Sequence, residues 1–267
     1  MEIRAINEND LLQIQSLQPN DWPDIIYYFE LYIKSPYCYP ICAIKSGLIV
    51  GVACVIYNIT TGWLAHIIVH KAYRRQGIGY KLTETCMNIL DDKKCNTQLL
   101  IATKEGEKLY PKLGFKIDLH YLYFQGIFKS FKPGFEIIPF KEKYFDSLLN
   151  LDLHITGENR KLLTKDIIEK SFIIAETGSN IVEAFYIPNF GDGTIISNNK
   201  QLGIELLKYK HSFPNRKSVI PDKNHHAIRF LNNSGFINYD KCARMYIGEK
   251  LKWIPEKIYS RIGGFYG

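Results

Sequence analysis

Residues 48–69 run without a charged side chain, and this stretch constrains the fold of the chain more than any other feature. It is long enough to cross a bilayer as one helix. However, Asn58-Ile59-Thr60-Thr61-Gly62 interrupts it with turn residues, and both flanks are rich in β-branched side chains. Two buried strands joined by a hairpin satisfy that pattern, and a membrane span does not. Strands buried on both faces need covering layers, and the neighbouring sequence supplies them. A helix is expected over residues 22–34, strands over 39–45, 48–57 and 63–69, and a further strand over 98–102. Between the last two, Ile78, Leu82, Cys86, Ile89 and Leu90 recur at the spacing of one helical face. A short helix is expected over 105–112. Strands alternating with helices define an α/β class.

The pattern breaks around Lys132-Pro133-Gly134, which places a domain boundary between residues 1–131 and 132–267. Beyond it, helices are expected over 141–153, 160–170, 202–208 and 225–232, with strands over 171–175, 180–186 and 218–220. A weak internal repeat links the halves. Leu109-Tyr110-Pro111-Lys112-Leu113-Gly114-Phe115 resembles Phe230-Leu231-Asn232-Asn233-Ser234-Gly235-Phe236, each a short helix closed by Gly-Phe before a strand.

The chemistry lies in Arg74-Arg75-Gln76-Gly77-Ile78-Gly79, between a buried strand and an amphipathic helix. Two glycines at this spacing let main-chain N–H groups point into one concavity, and the helix N-terminus adds partial positive charge. The place suits a pyrophosphate. A dinucleotide fold would need a third glycine and a later acidic residue, and a Walker A loop would need Gly-Lys-Ser/Thr; neither is present.

Residues 67–79, Ile67-Ile68-Val69-His70-Lys71-Ala72-Tyr73-Arg74-Arg75-Gln76-Gly77-Ile78-Gly79, closely resemble the acetyl-CoA signature of the GNAT N-acetyltransferases. Downstream, Ala102-Thr103, Gly106 and residues 109–115 resemble the second motif of that family. The second half is similar to the acetyltransferase-like C-terminal domain of tandem GNAT proteins of the YitH and HolE type. The residues behind this are Asp152, Gly157 and Arg160, then Ala227, Phe230 and Gly235-Phe236, and the closing Pro255, Ile258 and Tyr259 through Gly267. The fold implied is two tandem GNAT-like domains, each a mixed twisted sheet flanked by helices. The second copy departs from a working domain. Its counterpart of the phosphate loop reads Ile195-Ile196-Ser197-Asn198-Asn199-Lys200-Gln201-Leu202-Gly203 without the glycine pair, and Leu231 stands where the first copy has Tyr110.

The resemblance also implies roles. The backbone of Ile67, Ile68 and Val69 would pair with the pantetheine arm of acetyl-CoA, and a main-chain N–H there would polarise the thioester. Amides of Arg75, Gln76, Gly77, Ile78, Gly79 and Tyr80 would hold the pyrophosphate, with charge added by Arg74 and Arg75. Tyr110 would protonate the departing thiolate. Asp152 and Arg160 are candidates for gripping the acceptor, a small-molecule amine, across the domain interface. The base is not named by the residues. Strand alternation puts Ala65 and Val69 on one face and His66 on the other, and Glu30 is the remaining candidate.

Charge and cysteine usage bound the alternatives. Thirty-four basic against 27 acidic residues give +7, which suits an anionic ligand and is too scattered to argue for nucleic acid. The six cysteines form no CxxC and no Cys/His quartet, and the adjacent His225 and His226 diverge on a helix. No metal is expected; reduced thiols in a cytoplasmic protein are. The opening MEIRAINEND lacks an apolar core, so no signal peptide is expected. Acetyl transfer to an amine is thus the expected activity, with an acyl-CoA-binding sensor or scaffold as its alternative.

Overall fold

The uncharged stretch folds as two antiparallel strands in the computed structural model, which describes residues 1–20, 22–128 and 131–267. The first half comprises β1 (Glu2–Ala5), α1 (Leu11–Ile14), α2 (Ile25–Lys34), β2 (Cys38–Lys45), β3 (Leu48–Asn58), β4 (Thr61–Val69), α3 (Ile78–Asp92), β5 (Thr97–Ala102) and β6 (Lys116–Gln125). The second comprises β7 (Ile138–Pro139), α4 (Phe145–Thr156), α5 (Lys161–Ile167), β8 (Phe172–Ala175), β9 (Val182–Ile187), β10 (Thr194–Ser197), α6 (Lys200–His211), β11 (Lys217–Pro221), α7 (His225–Asn233), β12 (Ile237–Gly248) and β13 (Ile258–Ser260). α2 is shorter than the helix expected over residues 22–34. Pro23 precedes it, and the Asp24 side chain accepts from the Ile26 N–H, so the helix starts at Ile25.

The β3–β4 hairpin is buried on both faces, as its composition requires. Val52, Cys54 and Ile56 face a cluster with Tyr28, Phe29 and Tyr32 of α2. Ala53 and Val55 face Ile78, Leu82, Cys86 and Leu90 of α3. Leu90 lies so close to the strand that a Cβ on Gly62 would sit 2.1 Å from its side chain, so any side chain there would have to displace Leu90.

Two sheets result, and the first is shared by both halves. Its eight strands run β1-β2-β3-β4-β5-β12-β6-β11, and the second runs β13-β10-β9-β8-β7. β12, from the second half, inserts between β5 and β6, pairing Ala243 with Ala102 on one edge and with His120 on the other. In return β6 lies between β12 and β11, with Val219 opposite Tyr123. Each half thus lends its late strand to the other. The repeat noticed in sequence has the same form twice: Gly114 and Gly235 both adopt positive φ, at 93° and 76°, before β6 and β12. The expected helix over 105–112 is instead two 3-10 turns, Gly106–Lys108 and Tyr110–Leu113, because Pro111 brings no N–H to continue one.

The exchange makes the halves interdependent. Residues 1–131 expressed alone would leave β5 and β6 without β12, exposing two long unpaired edges. The fragment is expected to aggregate or to lose cooperative unfolding, measured by gel filtration and denaturant titration. A monomer that unfolds cooperatively would overturn this.

Candidate active site

β4 and β5 are parallel and pair only from Thr61–Thr97 to Leu64–Leu100. β4 continues to Val69 and β5 to Ala102, so the two strands splay apart into a slot. Along it the β5-facing main-chain groups of Ile67, Ile68 and Val69 have no ladder partner, while β3 pairs the other edge through Gly51–Val69 and Val52–Ile68.

The slot opens onto the N-terminus of α3. Gly77 is the N-cap, at φ 79°, and gives that end no side-chain hydrogen bond. The first amides of the helix, those of Ile78, Gly79 and Tyr80, therefore have no hydrogen-bond partner among the described residues. Arg75, at φ 64°, is a second left-handed residue in the turn. Arg74, Arg75, Gln76 and Gly77 are exposed. Arg74 folds back, its Nε donating to the Val69 carbonyl at 3.2 Å. Lys45 at the end of β2 also reaches the turn, its Nζ donating to Gln76 Oε1 at 2.8 Å. Nothing local in the sequence marks Lys45; only the register of β2 brings it there.

Tyr110 is 8% exposed and packs in the cluster that holds Ile78 and Leu82. A Cβ on Gly106 would meet its ring at 2.5 Å, so the glycine lies flat against it. Burial pushes the phenol well above its ordinary pKa, which keeps it protonated at neutral pH. Among the described residues its hydroxyl has no hydrogen-bond partner.

His66 departs from the expected alternation. It takes φ 46°, and the register shifts between Val52 and Cys54. This bulge resets the faces: Ala65 and Ile68 join the cluster against α2, whereas Val69 packs with the cluster against α3. Ala65 and Val69 therefore do not share a face. His66 is enclosed by aromatic rings, stacked on Phe265 at 5.1 Å and near Tyr28 at 4.9 Å, with Nδ1 hydrogen-bonded to the Tyr32 hydroxyl at 2.8 Å. Burial lowers its pKa to about 3, so the imidazole is neutral. Glu30 lies exposed on α2.

Asp152 and Arg160 lie elsewhere than an open acceptor pocket. They pair with each other, Arg160 Nε donating to Asp152 Oδ2 at 2.9 Å and Nη2 to Oδ1. Arg160 Nη1 donates to the Gly267 carbonyl at 3.1 Å. Both are at most 4% exposed. The spacing that suggested an acceptor grip instead builds an internal ion pair, α4 supplying the acid and the residue before α5 the base. His225 and His226 are exposed at the start of α7. Among the described residues no group of His, Cys, Asp and Glu is arranged to hold a metal.

The second half has the corresponding parts in a closed form. Only Asn198 and Asn199 separate β10 from α6, where residues 70–77 separate β4 from α3. The Asn199 side chain caps α6 by accepting from the Gln201 N–H. β13 pairs with β10, and the Arg261 N–H donates to the Val219 carbonyl of β11 at 3.0 Å. The space corresponding to the β4–β5 slot is filled by the chain itself. Leu231, the counterpart of Tyr110, is fully buried.

The site is therefore a parallel pair that splays beside an uncapped, glycine-started helix. Residues 36–117 match the family described as Acetyltransferase (GNAT) domain, and the first half of this chain carries such a domain. The chain is 35% identical over 118 residues to Uncharacterized N-acetyltransferase YitH of Bacillus subtilis (strain 168). That match covers 39% of this chain and 38% of the relative's length. An acetyltransferase candidate from Pyrococcus horikoshii superposes with a TM-score of 0.85 at 18% identity, covering 100% of this chain and 95% of that one. A tandem GNAT protein from the clavulanic acid biosynthesis pathway gives 0.62 at 13% identity, covering 92% and 98%. The tandem GNAT-like architecture, α/β throughout, is therefore the fold of the whole chain.

Two tests follow from the buried groups. Arg160→Ala leaves Asp152 buried without its partner and should cost about 3–5 kcal/mol of stability, read by denaturant unfolding; an unchanged midpoint would show the pair to be dispensable. His66 and His211 both have folded pKa values lowered to about 3 by burial. The unfolded chain binds their protons below about pH 6.5, so stability falls as pH drops from there toward 3, by up to about 1.4 kcal/mol per unit for each. In His66→Gln that slope should shrink by one proton; an unaltered slope would mean His66 is charged in the fold.

Proposed function

We propose that the chain is an acetyl-CoA-dependent N-acetyltransferase that moves an acetyl group directly to the amine of a small molecule. The observation that carries this is the contrast between the halves: an open slot ending at uncapped helix amides in the first, and a filled slot ending at a capped helix in the second. One acetyl-CoA per chain follows, bound by the first half. In this reading the main chain of Ile67, Ile68 and Val69 takes the pantetheine as an added strand. The amides of Arg75, Gln76, Gly77, Ile78, Gly79 and Tyr80 hold the pyrophosphate, with Arg74, Arg75 and Lys45 supplying positive charge.

Tyr110 is the proton donor to the leaving thiolate. Burial keeps the phenol protonated at neutral pH, so it holds a proton to give as charge develops on sulfur. Residues 132–267 form the second unit and close the acceptor side through Phe190 and Phe265, which pack on Tyr28. A cytoplasmic location suits the six free thiols, and no helix among the described residues is long and apolar enough to cross a membrane. One observation favours the alternative, an acyl-CoA sensor without turnover: His66 on β4 is buried and held neutral, which makes it a poor base.

The decisive variants separate binding from chemistry. A Cβ on Gly79 would meet Val69 and Leu109 only at 3.6 and 3.7 Å, so the fold tolerates a side chain there. Gly79→Glu should abolish CoA binding by calorimetry while leaving thermal stability intact, because the carboxylate occupies and repels the pyrophosphate position. Tyr110→Phe should leave CoA affinity within about threefold and lower kcat by about 10²–10⁴. Unchanged CoA affinity in the first variant, or two equivalent sites per chain, would overturn the cofactor assignment. An unaltered kcat in the second would move the acid elsewhere.

A further inference from the structure

The bulge at His66 decides which main-chain groups of β4 face the slot. Cys54 pairs with Ala65 and Val52 with Ile68, so two residues, His66 and Ile67, stand opposite Ala53. One added residue turns every later residue of a strand over. Beyond the bulge the ladder resumes, and the His70 N–H donates to the Val50 carbonyl at 2.9 Å. Alternation back from His70 directs the groups of Ile68 at β3 and those of Ile67 and Val69 into the slot. The Val69 carbonyl, which accepts from Arg74 Nε, fits that sense. Without the extra residue, the N–H groups of Ile67 and Val69 would turn toward β3 and leave the slot.

Such a bulge has to be held. Glycine is the usual residue at its left-handed position, because it adopts positive φ freely. Here the position is filled by a histidine at φ 46°. What histidine has and glycine lacks is a side chain, and this one is gripped from two directions. From α2, Tyr32 Oη lies 2.8 Å from His66 Nδ1, with both residues buried. From the second half, Phe265 stacks on the imidazole at 5.1 Å and 20° from parallel. Tyr28, Trp22 and Phe29 pack around the ring at 4.9, 5.9 and 6.1 Å. The backbone of His66 cannot leave the left-handed region without breaking the Tyr32 bond and this packing.

We infer that Tyr32 and His66 are positioning residues for the thioester: their hydrogen bond locks the bulge, and the bulge aims the N–H groups of Ile67 and Val69 into the slot to meet the acyl oxygen. The inference rests on the acetyl-CoA reading and adds the device that sets the polarising donor. Neither side chain has to touch the reacting atoms, because the effect passes through the β4 backbone. A donor fixed in place beforehand needs no reorganisation when charge develops on the oxygen, and that is where a lock contributes. The device also accounts for a histidine that is buried away from solvent and has no role in moving protons.

The experiment uses the full chain and needs no acceptor. Calorimetry with CoA comes first, since failure to bind would sink the cofactor assignment independently of the lock. Acetyl-CoA labelled with carbon-13 at the carbonyl is then bound, and its carbonyl stretch is read by infrared difference spectroscopy. In the unaltered chain the band should move to lower wavenumber than in free acetyl-CoA. Tyr32→Phe removes one oxygen and keeps the ring, so CoA affinity should hold while the band returns toward its free position and broadens. His66→Asn should keep the lowered band, because asparagine tolerates positive φ and its amide can bond Tyr32 in either sense. His66→Val should lose it, since a β-branched residue resists that conformation. A lowered band that persists in Tyr32→Phe would overturn the inference, as would no lowering in the unaltered chain. Loss of CoA binding in Tyr32→Phe would overturn it as well, by assigning the bond to the fold of the whole cofactor site.

Discussion

The exchange of β6 and β12 is the constraint on which the rest of the molecule depends. A parallel pair can splay only if its outer strand is held from the other side, because a free edge would drift back to satisfy its hydrogen bonds. β12 does this for β5, pairing from Thr97 to Ala102 along its whole length. β5 therefore stays in the sheet while β4, bulged at His66, leaves it after Leu64. The slot is thus kept open by a strand from the other half, and its geometry belongs to the whole chain.

That dependence puts charge where two domains would usually present apolar surface. Arg244 of β12 pairs with Asp118 of β6 and lies over Trp253 at 4.0 Å and Trp63 at 5.3 Å. Glu158, 3.9 Å from Arg244, collects donors from Asn58, Thr61 and Trp63 around the turn of the β3–β4 hairpin. Such buried ions stabilise little in net terms, since desolvation cancels most of the attraction, but they penalise any register that leaves one unpaired. Their effect is to fix how the hairpin sits against the second half. Tyr266 stacks on Trp63 at 5.3 Å and tightens the same seam.

What could be read from the chain beforehand follows from the range of the interactions involved. α3 announces itself by local periodicity and the turn before it by glycines within six residues, whereas Tyr110 is singled out by the resemblance of residues 109–115 to a family motif. Their positions follow from nearby sequence. The strand exchange pairs Ala102 with Ala243, and no local pattern encodes a partner so distant. The bulge at His66 is invisible for a different reason. A positive φ at a histidine comes from the mismatch between β3 and β4, and alternation assumes that mismatch away. Asp152 and Arg160 were legible as a pair, but whether they meet a ligand or each other depends on burial, which spacing does not report.

The asymmetry of the halves then has a physical logic. A slot in the second half would leave β10 and β11 splayed, with unpaired main-chain groups beside α6. β13 fills that gap, and Asn199 satisfies the helix end that Gly77 leaves open in the first half. Once β13 is in place, the segment after it, 262–267, is delivered against the first half. There Phe265 reaches His66 and Tyr266 reaches Trp63. Filling the gap in the second half therefore delivers the rings that pack on His66 and Trp63 in the first. A second half that left β10 without β13 could not direct its closing residues there, so the filled gap and the aromatic packing on the first half are one structural feature.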